Sequence, residues 1–196
     1  MLVGRWEPVE KSLGGVCAVL ELLKDGTFVS GMAVQVDMNY SLEGGKLSVM
    51  FHGSEVMDGV DVEFFGERMM IAGEPVRMRI GGPVAGSAPM VGVWTYEHYT
   101  GVPAYERYGS DGELELRIAL SGETRGRWML AGDILTLDTG GTLDVSACEI
   151  SGDLLTIAAK VAGGRSRTLR RTEPWYDFPL TVAKVEKLRV RALRRQ

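Results

Sequence analysis

The sequence predicts an all-β fold made of two tandem copies of one antiparallel unit. Three observations predict it. Apolar and polar residues alternate along much of the chain, turn signals recur at intervals of roughly 8–12 residues, and the whole pattern returns after 86 to 88 positions. No alternation of strands with helices is visible, which excludes a doubly wound parallel sheet.

The first copy opens with Leu2-Val3-Gly4-Arg5-Trp6 and the second with Met90-Val91-Gly92-Val93-Trp94. Gly15-Val16 and the Asp25-Gly26 turn recur as Gly101-Val102 and Asp111-Gly112. Gly44-Gly45 leads into Lys46-Leu47-Ser48-Val49-Met50 as Gly132-Asp133 leads into Ile134-Leu135-Thr136-Leu137, and Gly66-Glu67-Arg68-Met69-Met70-Ile71 matches Gly152-Asp153-Leu154-Leu155-Thr156-Ile157. Between the turns the period is that of half-buried strands. Leu114, Leu116, Ile118 and Leu120 alternate with Glu113, Glu115 and Arg117. Val60, Val62 and Phe64 alternate with Asp61 and Glu63, and Val76, Met78 and Ile80 with Arg77 and Arg79. Each copy thus holds about six to eight short strands.

The stretch Gly81-Gly82-Pro83-Val84-Ala85-Gly86-Ser87-Ala88-Pro89 has linker composition. The expected division is therefore 1–82 for the first barrel-like repeat, 90–173 for the second, and 174–196 for a C-terminal extension. Within that extension Thr181–Gln196 fits an amphipathic helix. Lys184, Lys187, Arg191, Arg194 and Arg195 fall on one face, and Val182, Val185, Leu188, Ala192 and Leu193 on the other.

Charge bounds the partners. The 196-residue chain carries a net charge of -4, which argues against nucleic acid as a ligand. The basic tail, residues 181–196, is the one segment suited to an acidic partner or an anionic membrane surface, and packing of its apolar side on the fold is the simpler reading. The two cysteines, Cys17 and Cys148, form no disulfide framework and read as small buried hydrophobes. No run is long enough for a membrane-spanning helix and no signal-peptide pattern is present. A cytoplasmic protein is the default expectation, with a removed leader as the alternative.

The residues that carry chemistry are sparse. His52 and His98 are the only histidines, and neither lies near a Gly-x-Ser-x-Gly elbow. No Cys/His spacing suits zinc, and no phosphate-binding loop occurs. No catalytic residue, metal or cofactor is expected. The aromatic cluster Trp94, Tyr96 and His98, with Tyr105 and Tyr108 beyond, offers one wall of a small-molecule pocket if it faces inward. In the first copy Met32, Met50 and Met78, with Met57, Met69 and Met70, suggest an adaptable lipophilic lining. For both groups core packing is the plainer alternative.

A Gly-x-Trp opening the first strand, an Asp-Gly turn before an alternating strand, and repeated Gly-(Asp/Glu) hairpins together resemble lipocalin-like proteins of the calycin type. Gly4-Arg5-Trp6 and Gly92-Val93-Trp94 carry the resemblance. It implies β-barrels, either one small barrel per copy or one larger duplicated barrel or sandwich. It also implies that an Arg from a last strand lies across each first-strand Trp ring, with Arg77 or Arg79 matching Trp6, and Arg170 or Arg171 matching Trp94. The function it implies is non-catalytic binding of a small apolar or amphiphilic molecule. The alternative is a structural or protein-interaction module with solid barrels, acting through its surface and basic C-terminal helix.

Overall fold

Alternation in sequence becomes alternation in burial wherever strands pair edge to edge. The structure, a computed structural model, describes residues 2–12, 14–81, 87–120, 123–159 and 165–175. Among these the regular structure is all β. The strands are β1 (Gly4–Pro8), β2 (Val16–Leu22), β3 (Thr27–Glu43), β4 (Lys46–Phe51), β5 (Ser54–Phe65), β6 (Arg68–Ile71) and β7 (Arg77–Gly81), followed by β8 (Gly92–Glu97), β9 (Pro103–Tyr108), β10 (Glu113–Ala119), β11 (Thr124–Ala131), β12 (Ile134–Asp138), β13 (Leu143–Ser151), β14 (Leu154–Ala159) and β15 (Ser166–Thr172). No helix among the described residues is long and apolar enough to cross a membrane. The amphipathic helix expected over 181–196 lies outside the described residues.

Two compact units form. One takes the described residues up to Ala33 and those from Leu120 on, and the other spans Val34–Ala119. In the first unit the strands pair in the order β3-β11-β12-β13-β14-β15-β1-β2, and β2 pairs back with β3. In the second the order is β3-β4-β5-β6-β7-β8-β9-β10, and β10 pairs back with β3. Each is a ring of eight strands, which leaves no strand edge in the ring unpaired. The long strand β3 supplies its first part to one ring and its second part to the other.

The units do not follow the expected segments 1–82 and 90–173. Each draws strands from both sides of the linker, because β1 pairs with β15, Trp6 opposite Arg171, and β8 pairs with β7, Trp94 opposite Arg79.

Each ring encloses its own apolar core. In the first unit it comprises Leu2, Trp6, Leu20, Leu22, Phe28, Leu135, Leu137, Leu155, Ile157 and Leu169, with Trp128 and Cys148 packed against it. In the second it comprises Leu47, Val49, Val62, Met69, Ile71, Met90, Trp94, Tyr108 and Leu114. Cys17 is buried and Cys148 half-buried.

The strand-opening glycines have a backbone reason. Gly4 and Gly92 sit at φ of 142° and 137°, conformations that side-chain-bearing residues rarely adopt. Two residues later the chain turns Trp6 and Trp94 fully inward, each 0% exposed. Each indole Nε1 donates to a main-chain carbonyl four residues back, Trp6 to Leu2 O and Trp94 to Met90 O, both at 2.8 Å.

Candidate functional site

A cation lies over each buried tryptophan. The Arg171 guanidinium carbon stands 4.5 Å from the Trp6 ring centroid, and that of Arg79 stands 4.1 Å from the Trp94 centroid. Each arginine also donates from Nη1 to a main-chain carbonyl, Arg171 to Val3 O and Arg79 to Val91 O, both at 2.9 Å. The partners are crossed relative to the expectation. Arg79, not Arg171, serves Trp94, and Arg171, not Arg79, serves Trp6, because the strand carrying each arginine pairs with the first strand from the other side of the linker. Arg170 points outward, with Asp153 3.6 Å away.

The alternation on β7 is inverted relative to its apolar pattern. Arg77 is buried, whereas Val76 and Ile80 are exposed. Strand pairing explains what faces Arg77. Trp94 lies opposite Glu106, and Tyr96 opposite Ala104, so Trp94, Tyr96, Glu106 and Tyr108 share the inner face with Arg77 and Arg79. Arg77 Nε donates to Glu106 Oε2 at 2.8 Å and Nη2 to Oε1 at 3.1 Å, a two-pronged ion pair. Tyr108 donates its hydroxyl to Glu106 Oε2 at 2.9 Å. The Arg77 guanidinium also donates from Nη1 to Pro75 O at 2.8 Å and stacks 4.5 Å from the Tyr96 ring centroid.

Both charges of the pair are buried, with side-chain exposures of 2% for Arg77 and 6% for Glu106. Burial works against the charge on Arg77, but Glu106 outweighs it and holds the guanidinium more basic than usual. Burial pushes the Tyr96 phenol up, and the neighbouring Glu106 charge pushes it further. Tyr108 is raised for the same two reasons in the same order. The cluster is therefore a buried ion pair flanked by two phenols that stay protonated, with the exposed Glu74 carboxylate 3.8 Å from Arg77 Nη2 at its rim.

Its counterpart in the first unit is apolar. Registers align Arg79 with Arg171, hence Arg77 with Leu169. They likewise align Glu106 with Leu20, because these lie opposite Trp94 and Trp6, and Tyr108 with Leu22, because these lie opposite Gly92 and Gly4. Leu20, Leu22 and Leu169 are all core residues. Sequence alone offered Arg77 as a partner for Trp6 and missed its pairing with Glu106, since a charge in an alternating strand ordinarily marks the solvated face. The signal lay in the repeat, which sets Glu106 against Leu20 at the same 86-residue offset as the Asp-Gly turns.

The expected pocket residues scatter. Trp94 and Tyr96 line the inner face with Tyr108, which meets Tyr40 edge-on at 5.0 Å. His98 lies beyond the end of β8, its Nδ1 2.8 Å from Thr100 Oγ1 and its ring against Tyr99, so it does not extend the Trp94–Tyr96 wall. Tyr105 is buried on the opposite face of β9, across from Thr95 and Arg117. Met32 and Met50 are exposed, and so is Met70; Met69 is the methionine of the six that is fully buried. Met78 borders an open surface recess of about 320 Å³ with Phe65, Glu67 and Arg68. Of the six expected methionines only Met69 and a partly buried Met57 belong to the core, which also takes Met90 and a partly buried Met38 beside them.

Among the described residues no cluster of three or more His, Cys, Asp or Glu side chains is placed to hold a metal ion. The chain matches no known protein family, no curated protein and no solved structure.

Proposed function

We propose that the protein is a non-catalytic, lipocalin-like binding protein of duplicated barrel units, whose second unit takes a small amphiphilic molecule. The observation that carries this reading is the Arg77–Glu106 pair, buried where the first unit has Leu169 and Leu20. A buried ion pair is no better a stabiliser than well-packed leucines, so its presence on the inner face of the second ring at positions that the first fills with leucines favours recognition over stability. A ring of eight strands is the size that side chains fill or that holds one small ligand. Apolar side chains occupy the first ring, and the second combines an apolar lining with a few convergent polar groups, as small-molecule sites do. The Trp–Arg pairs at matched ends support the duplication.

Mass spectrometry under native and then denaturing conditions tests the reading. The expected result is an extra mass that leaves on denaturation and is absent from the Arg77→Leu/Glu106→Leu variant. A ligand-free mass for the gently purified protein, together with no uptake of added decanol, overturns it.

A further inference from the structure

We infer that the second unit selects a ligand whose head group is uncharged but hydrogen-bonding, and that Glu106 is the residue that excludes carboxylates. This rests on the binding role proposed above. The argument starts from the donors of Arg77. Nε and Nη2 form the edge of the guanidinium that grips a carboxylate with two parallel bonds, and Glu106 already occupies that edge at 2.8 and 3.1 Å. Tyr108 adds a third hydrogen bond to the same carboxylate. An incoming carboxylate would have to displace this fixed partner and leave Glu106 buried without a counter-charge, or else enter unpaired. Either course places an uncompensated anion in a water-poor interior.

A cation fares no better. The charge of Glu106 is already matched, the exposed Glu74 carboxylate is also held near Arg77 Nη2 at 3.8 Å, and the Tyr96 face that would receive a cation is covered by Arg77 at 4.5 Å. The remaining capacity suits a neutral head. Arg77 Nη1 carries two N–H groups, of which Pro75 O takes one. The Tyr108 oxygen, having donated its proton to Glu106, keeps lone pairs that accept from a hydroxyl or an amide. The solvent side nearest Arg77 is the β6–β7 turn, where Ala72, Gly73, Glu74, Pro75 and Val76 are all exposed.

Glu106 is in this sense a specificity residue, and a matched set of chain lengths tests it. Decanol, decanoate and decyltrimethylammonium are titrated into the full-length protein by calorimetry. Decanol should bind at least about tenfold more tightly than either charged analogue, the equivalent of about 1.4 kcal/mol. In the Glu106→Gln variant the freed guanidinium edge should raise decanoate affinity relative to decanol by at least about tenfold. Decanoate binding to the wild type as tightly as decanol, or an unchanged ratio in folded Glu106→Gln, overturns the inference while leaving the binding role intact. Binding of none of the three to the wild type overturns the binding role itself. Should Glu106→Gln not fold, the Arg77→Leu/Glu106→Leu variant decides: decanol affinity should fall at least about tenfold, and an undiminished affinity is evidence against the head-group assignment.

Discussion

Arg171 lies with its guanidinium carbon 4.5 Å from the ring centroid of Trp6, although 164 residues of chain separate the two. The same geometry joins Arg79 to Trp94 at 4.1 Å, so each tryptophan receives its cation from across the linker. A cation–π contact of this kind contributes roughly 1 kcal/mol, and the hydrogen bond from Arg171 to Val3 O adds about as much. Double-mutant cycles should therefore give a coupling of at least about 0.5 kcal/mol for Arg171 with Trp6 and for Arg79 with Trp94. Arg79 with Trp6 should couple by no more than measurement error. Coupling of Arg79 to Trp6 instead would restore the division of the fold at the linker. Trp94→Ala alone should cost about 3–5 kcal/mol, and Arg170→Ala, at an exposed pair, within about 0.5 kcal/mol.

This crossing explains how far the sequence could be read. The strands and their turns were legible because period-2 alternation and Asp-Gly turns are local signals, and among the described residues seven strands precede the linker and eight follow it. Which strand lies beside β1 was not legible. β7 and β15 each place an arginine opposite a first-strand tryptophan, nothing local to either strand says which one, and the choice is made by tertiary pairing. The Trp94 and Tyr96 wall was legible from alternation. Tyr105 and His98 were misplaced because one is on the odd face of β9 and the other lies past the strand end. Glu106 was hidden because a charge in an alternating strand looks solvated, and Arg77 was expected across Trp6 rather than beside Glu106.

The buried pair makes an asymmetric stability prediction. Glu106→Leu alone leaves the Arg77 charge buried without its partner and should destabilise the protein by about 3–5 kcal/mol. Replacing both residues with leucine reproduces the arrangement of Leu169 and Leu20 in the other ring and should cost far less, or stabilise. Chemical denaturation of the two single variants and the double variant measures this. A double variant as unstable as the sum of its parts would show that the two side chains do not act as a pair.

Gly126 is required by a close approach. It pairs with Phe28 across β11 and β3. A β-carbon there would collide with the Asp138 main-chain oxygen and stand 2.6 Å from the Phe28 ring. Because one obstacle is backbone, it cannot swing aside, and Gly126→Ala should cost about 1–3 kcal/mol. Gly141→Ala is the control, since nothing lies within 4 Å of its β-carbon position, and should change stability by less than about 0.5 kcal/mol. Equal melting temperatures for the two variants would contradict the packing of β11 on β3.

Alkaline titration reads the phenols beside Glu106. Tyr96 and Tyr108 are raised above the ordinary value of 10.0 by burial and then by the Glu106 charge. Below pH 10 both phenols are protonated in the folded and unfolded chains alike, so their contribution to stability is fully present. Above pH 10 the unfolded chain releases protons that the folded chain still holds. Stability must then fall as pH rises toward the folded-state values. Phenolate absorbance should accordingly show late-ionising tyrosines in the native protein, fewer in Tyr96→Phe and in Tyr108→Phe, and none after denaturation. Replacing Glu106 with Gln removes that negative neighbour, leaves the Arg77 cation beside the phenols, and should bring both down. If all tyrosines of the native protein ionise together near pH 10 while circular dichroism stays native, Tyr96 and Tyr108 are neither buried nor beside the Glu106 carboxylate, and the ion-pair site does not exist.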